Sequence, residues 1–305
     1  MSISSIQPDP SAIGIAKTRF AIPPNPARIF SDRAARFDVL AKGSRLSPYL
    51  EFLACVTRLQ SEFTLDAPSM DPLDADRLAT ARSVSMPPID RNALIGSPGI
   101  RTTVSGFLAR AERLAVPPQS ASALAEVRAA DDETIDWIIG NILSDTLPLE
   151  SLAHHIFVAA GAQIYMTRLA STLEEGTLVP VGIGVCPACG GRPVGSMVVG
   201  FQGAEGARYA VCACCFMQWN EVRVKCLACG STKGVGYRAV ETGEDDATVK
   251  AEVCDNCRSW TKILYQNKNP SLDMVADDVA SLGLDTLMKE TEYRRAGFDP
   301  FLVGY

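Results

Sequence analysis

Four Cys-x-x-Cys pairs crowd one stretch of this 305-residue chain: Cys186/Cys189, Cys212/Cys215, Cys226/Cys229 and Cys254/Cys257. Two intervening residues let the backbone curl into a knuckle that aims both sulfurs at one point. Two knuckles then complete a tetrahedron around a metal ion, with metal–sulfur distances of about 2.3 Å. One such pair could be redox-active or accidental, but four together point to metal ligation. In a reducing compartment, clustered thiols of this kind serve as ligands rather than disulfides.

Which knuckles share an ion is decided by a repeat that the cysteines alone do not reveal. The first copy reads Cys186-Pro187-Ala188-Cys189-Gly190, a strand over Pro193 to Val199, Tyr209-Ala210-Val211-Cys212, and a Trp219-led strand to Val224. The second reads Cys226-Leu227-Ala228-Cys229-Gly230, a strand over Gly234 to Val240, Ala251-Glu252-Val253-Cys254, and a Trp260-led strand to Tyr265. Each copy is knuckle, hairpin, knuckle, strand. The 22 and 24 residues between the knuckles of each copy close at modest entropic cost. Sequential pairing follows: Cys186, Cys189, Cys212 and Cys215 for site 1, and Cys226, Cys229, Cys254 and Cys257 for site 2. Gly190 and Gly230 stand where the chain must turn with positive φ. Cys214 breaks the two-residue spacing and is read as a bystander. Four thiolates suit Zn²⁺ and a rubredoxin-type iron alike, so two ions per chain, iron or zinc, are expected. With no open ligand position, Lewis-acid catalysis has no support, and no catalytic residue is assigned.

The elements that must position these sulfurs are of two textures. Residues 1–25 read as a flexible N-terminus ending in Ile22-Pro23-Pro24-Asn25-Pro26, and residues 26–177 as an all-α domain. Ser47-Pro48 is a helix start, with Leu50, Leu53, Val56 and Leu59 following at helical spacing and Cys55 as a small core residue. Further helices are expected over Arg101 to Leu114, 120–129, 132–144 and from near Pro148. In the last of these Leu152, Ile156, Ala159, Met166, Leu169 and Leu173 form one apolar stripe, with Gly176 as its stop. At Leu178 the texture changes to Gly, Val and Cys in short alternating stretches. The predicted architecture is α+β: the helical domain, tandem rubredoxin-like or zinc-ribbon β-modules at 178–225 and 226–268, and a C-terminal helix and tail at 269–305. Asp273 complements the start of that helix.

Composition narrows the function classes. Hydrophobic residues make up 47%, enough for sizeable cores, and 29 Lys+Arg against 35 Asp+Glu give a formal charge of −6. Between Ile183 and Lys268 ten basic residues face eight acidic ones. Two tetrathiolate ions would add roughly −2 each as zinc or −1 each as ferric iron, leaving a poor surface for phosphates. Neither a secretory leader nor an apolar run of about 20 residues is visible. A soluble, cytoplasmic protein without membrane insertion or nucleic-acid partner is expected.

The remaining chemical groups have plainer readings. His154 and His155 are adjacent, point about 100° apart on a helix and cannot form a shared metal face. Asp273 and Asp277 share a helix face, while Asp278 turns away; all three are read as solvated or partner-facing surface. Glu244-Asp245-Asp246 reads as a hairpin tip. Gly182-Ile183-Gly184 is too short and misplaced for a dinucleotide loop.

The cysteine-rich half resembles the formate dehydrogenase accessory (formation) protein family, often called FdhE. The resemblance is carried by Cys186-Pro187-Ala188-Cys189-Gly190, by Val222-Arg223-Val224-Lys225-Cys226-Leu227-Ala228-Cys229-Gly230-Ser231-Thr232-Lys233-Gly234 and by Ala251-Glu252-Val253-Cys254-Asp255-Asn256-Cys257. Lys262-Ile263-Leu264-Tyr265-Gln266 and Val275-Ala276-Asp277-Asp278-Val279-Ala280-Ser281-Leu282 extend it. It covers roughly 180–305; the helical half offers no sharp motif, and Cys214 departs from the plain pattern. The resemblance implies a cytoplasmic maturation factor with rubredoxin-like metal sites, whose partner is the molybdenum-containing formate dehydrogenase catalytic subunit before export. The alternatives are a rubredoxin-type electron carrier and a nucleic-acid-binding zinc ribbon.

Overall fold

The computed structural model describes residues 18–200, 203–240 and 247–302, so the first 17 of the 25 residues expected to be flexible and the tip expected at Glu244-Asp245-Asp246 lie outside the described residues. The architecture is α+β as expected, with a helical N-terminal half followed by strands. A short strand β1 (Ala21–Ile22), at the end of the stretch read as mobile, precedes eight helices. These are α1 (Ile29–Ala41), α2 (Ser47–Asp66), α3 (Ala75–Ser83), α4 (Arg91–Leu94), α5 (Pro98–Ala111), α6 (Pro118–Ala129), α7 (Asp132–Leu143) and α8 (Leu152–Ser171). Pro48 and Pro98 stand in the first turns of α2 and α5, where a missing N–H costs nothing.

The last of these helices is the centre of the helical half. The expected apolar stripe is there, but burial extends around nearly the whole cylinder, from His155 to Ala170. Its alanines and Gly161 allow the close approach: a Cβ on Gly161 would sit 3.0 Å from the Val104 Cα of α5. Gly176 is not its stop. The helix ends at Ser171, where the Ser171 and Thr172 hydroxyls donate to the Arg168 and Leu169 carbonyls. Gly176 falls instead in a separate 3₁₀ turn, Glu175–Thr177.

The strands are β2 (Pro193–Val198), β3 (Arg208–Cys212), β4 (Gln218–Glu221), β5 (Val235–Arg238), β6 (Val249–Cys254) and β7 (Ser259–Tyr265). After them come α9 (Met274–Ala280), α10 (Leu282–Lys289) and β8 (Arg294–Arg295). Each repeat copy forms its antiparallel hairpin and third strand. The two copies then merge into one sheet in the order β1-β4-β3-β2-β7-β6-β5, with β8 also on β7. The seam is parallel, Gly195 to Val198 of β2 against Lys262 to Tyr265 of β7. It needs Gly195, since a Cβ there would meet the Lys262 carbonyl oxygen at 2.4 Å. A fully buried ion pair clasps the same seam: Arg208 of β3 reaches Ser196 Oγ at 2.9 Å and Glu252 of β6 at 2.8 Å.

One apolar core runs from the helices into the first repeat copy, joining Phe30, Leu50, Phe107 and Phe157 to Val194, Tyr209, Phe216 and Trp219. A small satellite core of Ala251, Val253, Trp260, Leu284, Met288 and Tyr293 lies under the second copy.

The C-terminal segment corrects the surface reading of Asp277 and Asp278. The expected single helix breaks at Ser281, and both carboxylates are buried, at 4% and 0% exposure. Asp277 takes a bidentate bond from Arg36 of α1 at 2.9 and 2.6 Å. Asp278 accepts Arg295 Nη2 on both carboxylate oxygens, at 2.8 and 2.6 Å. Asp273 does cap α9, accepting the Val275 and Ala276 N–H groups, and it also receives Arg33.

Candidate metal centres

The eight sulfurs gather into two groups, Cys186, Cys189, Cys212 and Cys215 in one and Cys226, Cys229, Cys254 and Cys257 in the other, each set within 4.8 Å. In site 1 the nearest Sγ–Sγ separations are 3.6 Å, for 186/215, 189/212 and 189/215. In site 2 they are 3.7 Å for 226/257 and 3.8 Å for 229/254. A tetrahedron with bonds near 2.3 Å has edges of about 3.8 Å. A disulfide would need about 2.05 Å. The separations therefore fit four thiolates around one ion, and zinc and mononuclear iron fit equally.

All four knuckles are built alike. In the leading pair, the N–H of Gly190 and of Gly230 donates to the carbonyl of Cys186 and of Cys226, and the Cys186 and Cys226 N–H groups reach forward to Gly191 and Ser231. The residue after every knuckle is left-handed: Gly190 at φ 74°, Phe216 at 56°, Gly230 at 75° and Arg258 at 52°. The glycine signal was readable in the leading knuckles only. In the trailing ones a bulky side chain adopts the same strained backbone, which the surrounding contacts must impose.

Sulfur electrostatics point toward a cation. Burial pushes the Cys186 and Cys215 thiols well up. Burial opposes ionisation of Cys212 too, but the thiols of Cys186, Cys189 and Cys215 and the Cys215 N–H converge on it and hold it well below the ordinary thiol range. One thiolate is stabilised by protons on its neighbours; four need a metal ion in place of those protons. Cys214 is buried outside both groups, its N–H donating to Cys212 Sγ at 3.4 Å. Cys55 is half-buried on α2, far in sequence from either group.

The helical half grips site 1 through contacts with no local sequence signal. Arg91, at the start of α4, makes a bidentate bond to buried Asp145 at 2.9 and 2.8 Å. Asp145 also accepts the Arg192 N–H, just beyond the first knuckle. Burial would lower the Arg91 pKa, but its bonds to Asp145 and the nearby Cys214 and Cys189 sulfurs raise it, so it stays charged. Arg91→Ala is expected to leave buried Asp145 with only the Arg192 guanidinium, 4.0 Å away, costing about 3 kcal/mol. A lower midpoint in thermal unfolding by circular dichroism would show this; an unchanged midpoint would remove the clamp. The histidines take no part. His155 is buried, with Nδ1 2.8 Å from the Ser151 carbonyl, and His154 lies 2.7 Å from Glu126.

The chain matches known families along nearly all its described length. Residues 18–183 match the FdhE N-terminal family, 185–223 the FdhE central domain and 224–302 the FdhE C-terminal domain. The chain belongs to the FdhE family. A protein FdhE homolog of Rhizobium meliloti (strain 1021) is 64% identical over 306 residues, covering 100% of both chains. Protein FdhE of Salmonella enteritidis PT4 is 31% identical over 99% of this chain and 98% of its own. The crystal structure of the FdhE protein from Pseudomonas aeruginosa superposes with a TM-score of 0.84 at 29% identity, covering 94% of this chain and 99% of that one. The helical half, which carried no sharp motif of its own, is thus part of the FdhE pattern. No helix among the described residues is long and apolar enough to cross a membrane.

Proposed function

We propose that this chain is a cytoplasmic, non-enzymatic accessory factor for formate dehydrogenase maturation that binds the enzyme's catalytic subunit. In this reading Cys186, Cys189, Cys212 and Cys215 hold one ion, Cys226, Cys229, Cys254 and Cys257 a second, and each ion is iron or zinc. The observation that carries it is the FdhE match, continuous from the helical half through both four-cysteine groups. The ions' part is to hold the strand-rich half in shape, because thiolate–metal binding and folding are coupled. The formal charge of −6 favours a protein partner over nucleic acid. Two measurements test the proposal: formate dehydrogenase activity in a strain lacking this chain, and co-purification of tagged catalytic subunit with it. Lost activity and a stable complex are expected; full activity in the deletion strain would end the proposal.

One observation favours electron transfer as a second reading: the Cys257 residue of site 2 is exposed. Iron-loaded protein that bleaches reversibly on mild reduction, without unfolding, would support it.

A further inference from the structure

The two sulfur groups share one knuckle design but sit in unlike surroundings. At site 1 the exposures of Cys186, Cys189, Cys212 and Cys215 are 0, 2, 0 and 0%. Both of its knuckles are roofed by the helical half. The Ile89 N–H donates to the Ala188 carbonyl inside the first, at 3.0 Å. Gln163, wholly buried on α8, donates to the Ala213 carbonyl inside the second, also at 3.0 Å. These knuckles cannot part from their covers without opening the main core.

Site 2 is covered differently. Its leading knuckle is anchored, with Leu227 buried and Gly184 packed against the Leu227 carbonyl. Its trailing knuckle is anchored at Cys254 alone, buried at the end of β6; Asp255, Asn256, Cys257 and Arg258 are all exposed, and Cys229 is half-buried. Cys254 is fixed in the ladder opposite Val235 and Ser259, and the Asp255 N–H donates to the Gly234 carbonyl at 2.8 Å; the outer turn is otherwise tied by the short segment 291–295. Arg294 N–H donates to the Arg258 carbonyl at 2.8 Å, Tyr293 hydroxyl to Asp255 at 2.5 Å, and Arg258 pairs with Glu292 at 2.6 Å. The Arg258–Glu292 pair, exposed on both sides, contributes about 0–1 kcal/mol.

We propose that the outer turn of this knuckle, Asp255 to Arg258, is a gate: it opens by local unfolding and presents the site 2 sulfurs to solvent thiols and chelators while site 1 stays closed. Local openings span free energies from near zero up to global unfolding, and a weakly tied surface segment belongs at the low end. The inference rests on the two-ion reading above and goes beyond it by assigning the sites unequal lability.

The test uses the full chain loaded with Zn²⁺, mixed with excess pyridylazoresorcinol, and monitored by dye absorbance. Two ions per chain should leave in two phases of equal amplitude, separated by at least about a hundredfold in rate. Iodoacetamide labelling followed by mass spectrometry should modify Cys257 and Cys229 in the fast phase and the site 1 thiols only in the slow one. Glu292→Ala, which removes a single surface pair, should quicken the fast phase by about two- to fivefold and leave the slow phase unchanged. Two ions released in one phase, equal labelling of both groups, or a Glu292→Ala effect on both phases would overturn the gate. Fewer than two ions bound before mixing would instead overturn the metal reading beneath it.

Discussion

Cys186→Ser should abolish cooperative folding of the whole protein, whereas Cys229→Ser should spare it. The Cys186 sulfur is fully buried, 3.6 Å from that of Cys215, within the core that also holds Phe30, Leu50, Phe107 and Phe157. A structural tetrathiolate ion contributes about 10–16 kcal/mol of apparent binding free energy. Net domain stability is only about 5–15 kcal/mol. Breaking site 1 therefore removes an amount comparable with the entire margin, and leaves three thiols where no water can reach them. Site 2 stands over the separate small core of Ala251, Val253, Trp260, Leu284, Met288 and Tyr293. Its loss should cost one ion and loosen that region alone. Circular dichroism melting and metal content of the two variants check this directly. A Cys186→Ser protein with the parental transition would contradict the assignment of site 1 to the main core.

The second large effect is expected at Lys262. This wholly buried lysine on β7 donates to the Asp278 carbonyl at 2.6 Å, lies 3.2 Å from the Asp278 carboxylate and pairs closely with Asp285. Arg295 bonds both carboxylates from the other side. Lys262→Met keeps an unbranched apolar stem but leaves two buried carboxylates facing one guanidinium. Removing one member of such a buried set costs about 3–5 kcal/mol, or a melting midpoint lower by roughly 10 °C. An unchanged midpoint would mean the network contributes nothing to stability.

The same network carries a pH signature. Burial first, and then the Asp278 charge, push the Asp299 carboxyl well above the usual carboxylate range. Folded Asp299 therefore keeps a proton that the unfolded chain releases above about pH 4. Its contribution is present below that pH and is lost as pH rises toward the folded value. Asp299→Asn, a neutral stand-in for the protonated acid, should be more stable than the parent at neutral pH, with a flatter pH dependence. Denaturant titrations across pH 4–8 would reveal it; a less stable Asn variant at neutral pH would reject it.

How the eight thiols sort into two groups could be read from the sequence because the requirement is local. Two residues between cysteines make a knuckle, a hairpin brings two knuckles together, and the duplicated order of strands and tryptophans leaves one economical pairing. Helix starts at Ser47-Pro48 and Asp273 were legible for the same reason, that first-turn prolines and caps act within one turn, although Ser47 lies inside α2 and donates to Glu51 instead of capping it. Only the tertiary structure decided what depends on partners far along the chain. Asp277 and Asp278 look like solvated helix surface until Arg36, 241 residues from Asp277, and Arg295 neutralise them in the interior. The parallel β2–β7 seam, the Arg91–Asp145 grip on the first knuckle and the unequal cover of the two sites likewise have no local signal. A charge enters a protein interior only where a remote countercharge meets it, and a sheet closes only where a glycine admits a distant carbonyl; spacing along one chain records neither.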